Sequence, residues 1–386
     1  MNENFINSSI IFEDEVLRPT HLEINLSAIK HNFTEIKKLT NKMVMPILKA
    51  NAYGHGLIKI AQFLQELNAD YLGVAVLEEA LLLRKNNIKL PILVLGGIIG
   101  NQIPLYIKND ITITASSVDK LKQIEKCAKK LNKKARVHLK IDTGLERIGI
   151  HYYSAEKLIE ACKDVKNTVI EGIYTHFADS ASDNFEYTNL QLKRFNDVLK
   201  IFSSQNVKTP EIIHTANSGA ILQHPDSHFN LVRPGIILYG VYPSNEVKKT
   251  ISLSPALSWK SKVVYFKVIK PDHPVGYGCN WQSDHNVRAV TVPVGYGDGY
   301  FRSMSGKAEV LINSKKYPVV GTISMDQIVV NIENNSAYNE DEVVLIGQSG
   351  SEKLTCEQLA DWAGTIPYEI LTNINTRVPR IYFEEK

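Results

Sequence analysis

One lysine of this chain directly follows an apolar segment. Lys49 ends the run Val44–Leu48 and opens a turn that carries Tyr53 and His55. An ammonium group is costly to remove from water, so a lysine in an apolar site has a lowered pKa and can attack carbonyl compounds as a neutral amine. A lysine at the end of a strand can equally extend its ammonium into solvent. The choice between the two depends on what else the chain places beside it.

Further polar side chains and backbone donors follow later apolar segments. They are Lys140, Asp142, Arg147, Tyr174, His176, His214, Asn217, Ser218, Arg233, Gly235 and Ile236. The sequence Asn217–Ala220 is typical of a helix start, although it is also a common cap and turn. Helix N-termini and free backbone N–H groups, such as those of Gly235 and Ile236, bind phosphate. Together with Lys49 and His176, this phosphate cradle favours pyridoxal phosphate as a cofactor.

A metal site is the alternative use of the same residues. The candidate ligands are His55, Asp142, His176, His214 and a carbamylated Lys140, as in barrel hydrolases. Metal sites need several ligands that converge on one point. The chain has no His-x-His on its first apolar segment and no second clustered pair of histidines. The sequence therefore predicts no metal.

Eight short apolar segments alternate with stretches of helical length. They lie near 44–49, 71–76, 91–96, 111–116, 136–142, 169–176, 212–216 and 231–239. Several are apolar on both faces, as parallel strands covered on both sides require. Eight such strands predict an (α/β)8 TIM-type barrel over residues 18–245, and an open doubly wound sheet is the competitor. In a barrel the loops after the strands form the active site, which is where the polar residues above fall.

The segments on either side of the predicted barrel have a different texture. Residues 1–17 are predicted to be an N-terminal extension. Residues 22–26 alternate apolar and polar side chains as a half-buried strand does. Residues 246–386 carry short β-branched segments separated by Gly-, Asn- and Asp-rich turns, which predicts a mostly antiparallel C-terminal β domain.

Composition excludes several classes of function. The chain has 386 residues, a net charge of +3 and no basic stripe with interleaved aromatic residues, so nucleic-acid binding is not expected. Its four cysteines lack CxxC spacing, which predicts neither zinc nor a disulfide framework. The longest apolar run, 91–100, is too short to span a bilayer, and the polar start does not resemble a signal peptide. The expected location is the cytoplasm.

The segment Val44–Gly56 closely resembles the cofactor attachment segment of alanine racemases, which are fold-type III pyridoxal phosphate enzymes. Other matching segments are 138–144, 174–178, 217–218, 232–236, 276–278, 295–299, 324–326, 364–369 and 377–380. Their order and spacing extend the resemblance over nearly the whole chain beyond the first 17 residues.

The resemblance implies a role for each matching residue. Lys49 would bond covalently to pyridoxal phosphate, with Arg233 at the ring nitrogen and His176 beside the ring. The phosphate-binding residues would be Tyr53, Ser218, Gly235, Ile236 and Tyr368, with Asn217 adjoining them. Arg147 and Met325 would contact substrate, and Lys140, Tyr296 and Asp326 would support the site.

The resemblance also implies a head-to-tail homodimer with shared active sites. Tyr277, Met325 and Asp326 would come from the partner subunit. Lys49 on one face of the substrate and Tyr277 on the other would act as two bases that interconvert L-alanine and D-alanine for peptidoglycan. Arg147 would support Tyr277, and Lys140, a candidate for carbamylation, would hold Arg147.

The chain departs from the family pattern at a few positions. Glu146 stands where glycine is usual, Gly276 where serine is common, and Thr322 where arginine is frequent; Cys279 is also atypical. Serine racemisation or a broader substrate range therefore stays open beside alanine. Two further alternatives are decarboxylation of basic amino acids and a non-enzymatic pyridoxal phosphate-binding protein. The chain lacks the glycine-rich phosphate loop and the Cys-x-x-x-Asp-like motif that the decarboxylases usually carry. The non-enzymatic binding proteins generally lack a β domain, which residues 246–386 are predicted to form.

Overall fold

The computed structural model describes residues 11–12 and 15–385. Most of the predicted N-terminal extension, residues 1–10, 13 and 14, lies outside the described residues. The remainder includes two short antiparallel strands, Ile11–Phe12 and Glu15–Val16. The contacts divide the chain into two units: a barrel unit, residues 28–254, and a β unit made of the described residues up to Ser27 and from Pro255 onward.

All eight predicted strands are present in the barrel unit, most of them shorter than their apolar segments. They are Met43–Val44, Leu72–Val74, Ile92–Val94, Thr112–Ala115, Ala135–Asp142, Thr168–Tyr174, Ile212–His214 and Leu231–Val232. Neighbouring strands pair in parallel, and the last pairs with the first. A bridge between Ile47 and Gly73 and a 3.0 Å bond from Arg233 N to Ala216 O connect the two ladders. The prediction of a barrel is confirmed over the open-sheet alternative.

Helices alternate with most of these strands, and the first of them precedes Met43–Val44. They are Leu26–Thr40, Leu57–Glu66, Leu77–Lys85, Ile103–Lys108, Val118–Leu131, Ala155–Ala161, Glu186–Ser204 and Ser218–Gln223. A two-residue strand, Ile150–His151, extends the pairing of Ala135–Asp142. No helix in the described part of the chain is both long enough and apolar enough to cross a bilayer.

The β unit is built on one large sheet. Its strands are His21–Asn25, Leu257–Lys262, Tyr265–Ile269, Val287–Val292, Glu309–Ile312, Lys315–Val320, Ile328–Glu333, Glu342–Ser349, Glu352–Leu354 and Arg380–Phe383. All pairs are antiparallel except Arg380–Phe383 with His21–Asn25. Two helices, Cys356–Ala363 and Pro367–Asn373, complete the unit.

The unit boundaries differ from the predicted ones at 18 and 245. The strand His21–Asn25 pairs with Leu257–Lys262 in the β sheet and not with a barrel strand. Its alternating burial suits a sheet with one open face, whereas barrel strands are buried on both faces. Residues 246–254 pack with the barrel unit, where Thr250 Oγ1 donates to Leu222 O at 2.9 Å.

Candidate active site

The lysine that ends the first barrel strand stands on a left-handed turn. Residues 50–53 have φ angles of 53°, 57°, 53° and 51°, although none of them is glycine. This conformation costs roughly 1–2 kcal/mol per residue because Cβ crowds the following carbonyl. Bonds from Ala52 N to Leu48 O at 2.8 Å and from Gly54 N to Ala50 O at 3.1 Å help to hold it. Strained backbone of this kind is concentrated at functional sites.

Glu79 clamps the lysine turn to the next strand. Its Oε1 accepts from Ala50 N at 2.7 Å, and its Oε2 accepts from Ala75 N at 2.8 Å. Much of Lys49 is exposed, but neighbouring atoms desolvate its amine. This desolvation, followed by the positive charge of Arg147, lowers the pKa of Lys49 from 10.5, while the carboxylate of Glu79 raises it. The net effect favours a neutral, nucleophilic amine.

Replacing Ala50 with glycine tests the strain directly. Ala50 is exposed, with φ 53° and ψ 53°, so glycine should relieve crowding and raise the free energy of unfolding by about 1 kcal/mol. The matched control is Ala161→Gly in a right-handed helix, where φ is −61° and glycine should cost about 0.5–1 kcal/mol. Denaturant unfolding compares the two. A loss at Ala50 equal to that at Ala161 would contradict the left-handed turn.

Tyr53, Ser218 and Gly235 form a small polar cradle. Gly235 N donates to Ser218 Oγ at 2.9 Å. A Cβ at Gly235 would lie 2.5 Å from the Tyr53 hydroxyl oxygen and 3.6 Å from Ser218 Oγ, so only glycine leaves this space open. Asn217 caps the helix that Ser218 begins, accepting from Ala220 N at 3.1 Å. The cradle has the small size and hydrogen-bonding groups that a phosphate requires.

Arg233 lies two residues before Gly235 of the cradle and is only 3% exposed. Its Nη2 donates to Thr175 O at 2.8 Å and Thr215 O at 2.9 Å, and lies 3.3 Å from His176 Nδ1. Its Nη1 lies 2.9 Å from His214 Nδ1. The Nε–H makes no hydrogen bond to any residue that the structure describes. This leaves a charged donor for a ligand atom.

Basic side chains surround His176. Burial, followed by the charges of Arg233, Lys140, Arg147 and Lys49, holds the pKa of His176 well below its ordinary value. Burial and the nearby arginines likewise lower the pKa of Lys140, against the opposing effect of Asp142. Lys140 Nζ lies 4.4 Å from the centroid of the Tyr174 ring. The end of the barrel is therefore suited to an anionic ligand.

Asp142 organises the loop that carries Arg147. Its Oδ1 accepts from the backbone N–H groups of residues 144, 145 and 146 at 2.8–3.2 Å, and its Oδ2 accepts from Arg147 N at 3.0 Å. Burial raises the pKa of this carboxyl, but the four donors outweigh burial and lower it overall. Glu146 stands where glycine is usual in the family pattern and has φ +56°. Its Oε2 lies 3.3 Å from His151 Nε2.

Tyr277 lies in the β unit, on a turn of positive-φ residues. Gly276, Gly278 and Cys279 have φ angles of 74°, 78° and 52°. Thr322 Oγ1 donates to Tyr277 O at 2.8 Å, and Asn280 Nδ2 donates to Thr322 Oγ1 at 3.3 Å. The Tyr277 side chain is 73% exposed. Gly276 and Thr322, which both depart from the family pattern, thus help to fix the backbone at Tyr277.

Tyr296 and Met325 are neighbours in the β unit. Tyr296 N donates to Ser324 O at 3.0 Å, and Gly297 N donates to Met325 O at 2.9 Å. Asp326 Oδ1 accepts from Arg377 Nη2 at 2.8 Å. Tyr368 lies in the helix Pro367–Asn373 of the same unit, and burial raises its pKa to about 12. The predicted site residues therefore fall into a barrel set and a β-unit set.

Asp298 anchors this part of the β unit, although its sequence context indicates a simple turn. Its fully buried Oδ1 lies 2.7 Å from both Arg18 Nη2 and Arg377 Nε, and its Oδ2 accepts from Gly295 N at 3.0 Å. Both arginines are partly exposed, so water can compensate part of the energy lost when an ion pair with Asp298 is broken.

The substitution Asp298→Asn is expected to lower the stability of the β unit by about 2–3 kcal/mol, because charge-assisted hydrogen bonds are lost at a buried site. The exposed Asp361 provides the control, since Asp361→Asn should change stability by less than about 0.5 kcal/mol. Chemical denaturation followed by tryptophan fluorescence measures both. Equal stability of the two variants would show that the ion pairs contribute nothing.

Two family models match this chain. The model described as alanine racemase, N-terminal domain, matches residues 24–243, and the model described as alanine racemase, C-terminal domain, matches residues 256–382. The chain belongs to the alanine racemase family. The alanine racemase of Carboxydothermus hydrogenoformans is 41% identical over 369 residues, which cover 95% of this chain and 100% of that protein.

Solved structures of alanine racemases have the same fold. The alanine racemase of Clostridium difficile 630 matches with a TM-score of 0.90 at 38% identity, covering 96% of this chain and 97% of that one. The histidine racemase of Leuconostoc mesenteroides matches with a TM-score of 0.88 at 30% identity, covering 96% and 99%. The same fold thus carries proteins named for different substrates.

Sequence reasoning missed several residues that organise the site. Glu79 is one, and its place as the third residue of the helix Leu77–Lys85 is the signal that could have found it. Asp142, considered above as a metal ligand, is a loop anchor. Among the described residues, no three His, Cys, Asp or Glu side chains converge as a metal ion would require.

Proposed function

We propose that this chain is a pyridoxal phosphate-dependent racemase that interconverts L-alanine and D-alanine. The observation that carries the proposal is the cradle of Tyr53, Ser218 and Gly235, with the buried guanidinium of Arg233 two residues before Gly235, in the barrel unit that also carries Lys49. Such a site suits a ligand with a phosphate and a carboxylate. The lowered pKa of Lys49 suits covalent attachment of a carbonyl cofactor.

The residues present fit pyridoxal phosphate. The open space at Gly235 would take its phosphate, with Tyr53, Asn217, Ser218 and Ile236 as the binding residues, to which the family resemblance adds Tyr368. His176 would lie beside the ring, and the Nε–H of Arg233 would donate to the ring nitrogen. When bound, the cofactor withdraws electrons from Cα of the amino acid and makes its proton removable.

Racemisation requires proton removal on one face of Cα and proton return on the other. We assign these steps to Lys49 and to Tyr277 of the partner subunit in a homodimer. The exposure of Tyr277, Met325 and Tyr296 in the single chain, at 73%, 52% and 43%, supports their contact with a second copy. Arg147 would bind the substrate and position the tyrosine.

Lys140 has the properties needed for carbamylation. Its lowered pKa favours the neutral amine, which attacks carbon dioxide to form a carbamate with release of a proton. The resulting negative charge would pair with Arg147, whereas a charged lysine would repel it. We propose that the carbamate holds Arg147, with Asp142 fixing the backbone of the same loop.

The proposed role is the supply of D-alanine for peptidoglycan in the cytoplasm. A serine or broad-specificity racemase is the alternative, because Gly276 and Thr322 depart from the family pattern beside Tyr277: Gly276 precedes it in the chain, and Thr322 Oγ1 donates to its carbonyl oxygen. The test is a chirality-resolved assay of purified protein with pyridoxal phosphate against alanine, serine, histidine and lysine. Alanine should give the highest kcat/KM. Carbon dioxide release from lysine, or the absence of any racemised product, would contradict the proposal.

A further inference from the structure

A chain of buried polar side chains leads away from Arg233 into the barrel. His214 Nδ1 lies 2.9 Å from Arg233 Nη1, and His214 Nε2 lies 2.9 Å from His138 Nδ1. Both histidines are fully buried: His214 ends the strand Ile212–His214, His138 lies on Ala135–Asp142, and Thr168–Tyr174 pairs with both of these strands and lies between them. The proposed reaction uses neither ring, so their arrangement needs an account of its own.

The hydrogen-bond roles along this chain have one consistent assignment. Arginine has only donors, so His214 Nδ1 must accept from Arg233. A neutral imidazole that accepts at Nδ1 carries its proton at Nε2, and this proton can only be donated to His138 Nδ1. His138 then carries its own proton at Nε2. A charged His214 is excluded because its Nδ1–H would face a guanidinium N–H.

The electrostatics agree with two neutral rings. Burial, followed by the charge of Arg233, lowers the pKa of His138 to about 3, and the same two causes hold the pKa of His214 well below its ordinary value. His138 Nε2 makes no hydrogen bond to any described residue, and the nearest acidic contact, Glu171 Oε2, lies 3.8 Å away. His138 is therefore the end of the hydrogen-bond chain.

The surrounding packing keeps both rings in place. The Tyr174 ring stacks on His214 with a centroid distance of 4.7 Å and an interplanar angle of 7°. A Cβ at Gly172 would lie 2.6 Å from His138 Nδ1, so glycine at this strand position makes room for the ring. Neither ring can turn over without disturbing these contacts.

We propose that His138 is a positioning residue for Arg233: it accepts the Nε2 proton of His214 and thereby fixes the tautomer with which His214 accepts from the guanidinium. Without this acceptor, His214 has two possible tautomers. In one, its buried Nε2–H has lost its partner; in the other, its Nδ1–H points at the guanidinium of Arg233. Either outcome loosens the guanidinium. The effect on catalysis rests on the proposed function, in which Arg233 donates to the cofactor ring nitrogen. The tautomer of His214 does not depend on that function.

The test is nitrogen-15 NMR of histidine-labelled holoenzyme, with the His214 signals assigned by their loss in His214→Asn. In the wild type, His214 should show a protonated Nε2 and an unprotonated Nδ1. His138→Leu should lose this single tautomer, and His138→Gln, which keeps an acceptor, should retain it. A charged or Nδ1-protonated His214 in the wild type would overturn the proposal whether or not the variants fold.

Kinetics supply the second readout. His138→Leu should lower kcat by about tenfold, equivalent to 1.4 kcal/mol, with KM within about twofold, and His138→Gln should recover most of the loss. The exposed His31 is the control, and His31→Gln should leave kcat unchanged. Unaltered His214 signals and kcat in a folded His138→Leu variant would overturn the positioning role. If the protein racemises no amino acid, the NMR result still decides the tautomer.

Discussion

Replacing Lys49 with alanine is expected to abolish racemisation from both L-alanine and D-alanine. The substitution removes a general acid–base group, worth about 10²–10⁴-fold, and also the amine that attaches the cofactor. We therefore expect kcat/KM to fall by at least about 10⁴-fold in each direction. Loss of the visible absorbance of lysine-bound cofactor should accompany the loss of activity.

The matched control for this prediction is Lys200→Ala. Lys200 is an exposed helical lysine paired with Asp197, and its removal should affect neither activity nor absorbance. A small primary amine added to Lys49→Ala should restore part of the activity, because it replaces the missing base without restoring attachment. Retention of the absorbance band together with normal turnover would place the reactive amine on another lysine.

Replacing Tyr277 with phenylalanine is expected to produce a defect on one face of the substrate. The ring stays in place while the hydroxyl that moves the proton is lost, so kcat should fall by about 10²–10⁴-fold. Lys49 remains, and exchange of the Cα proton with solvent should persist for one enantiomer and stop for the other. Proton NMR in deuterium oxide distinguishes the two exchange rates.

Tyr338 provides the control for the tyrosine. It is 59% exposed in the same unit and packs edge-on against Phe266, so Tyr338→Phe should leave both exchange rates unchanged. Equal loss of exchange from both enantiomers in Tyr277→Phe would indicate a structural role for the hydroxyl. Unchanged kcat would remove Tyr277 from the chemistry.

The barrel was predictable because its strands carry a local signal. Segments such as 71–76 and 91–96 are apolar on both faces, and the candidate site residues stand at or after the ends of other barrel strands, as Lys49 and His214 do. The strand His21–Asn25 was predictable as a strand but not in its pairing. Its partners, Leu257–Lys262 and Arg380–Phe383, lie more than 200 residues away in sequence, and periodicity holds no information about such contacts.

The local geometry of the candidate site was less predictable. Asn51 is a residue type that tolerates the left-handed conformation, but Ala50–Tyr53 does not signal four such residues in a row, because the turn has no glycine and depends on the carboxylate of Glu79 from another segment. Asp298 reads as a turn residue between glycines, yet it pairs with Arg18 and Arg377. Interactions of this kind are set by tertiary structure and not by the residues adjacent in the chain.

The most direct test of the two-base proposal is the isotope content of the first product formed in deuterium oxide. Wild-type enzyme with protiated L-alanine should give D-alanine that carries deuterium at Cα, while the unreacted L-alanine keeps its protium at early times. The reverse reaction should behave in the same way, because Lys49 and Tyr277 hold separate protons on opposite faces. D-alanine that retains the original protium would mean that one base serves both faces and would contradict the proposal.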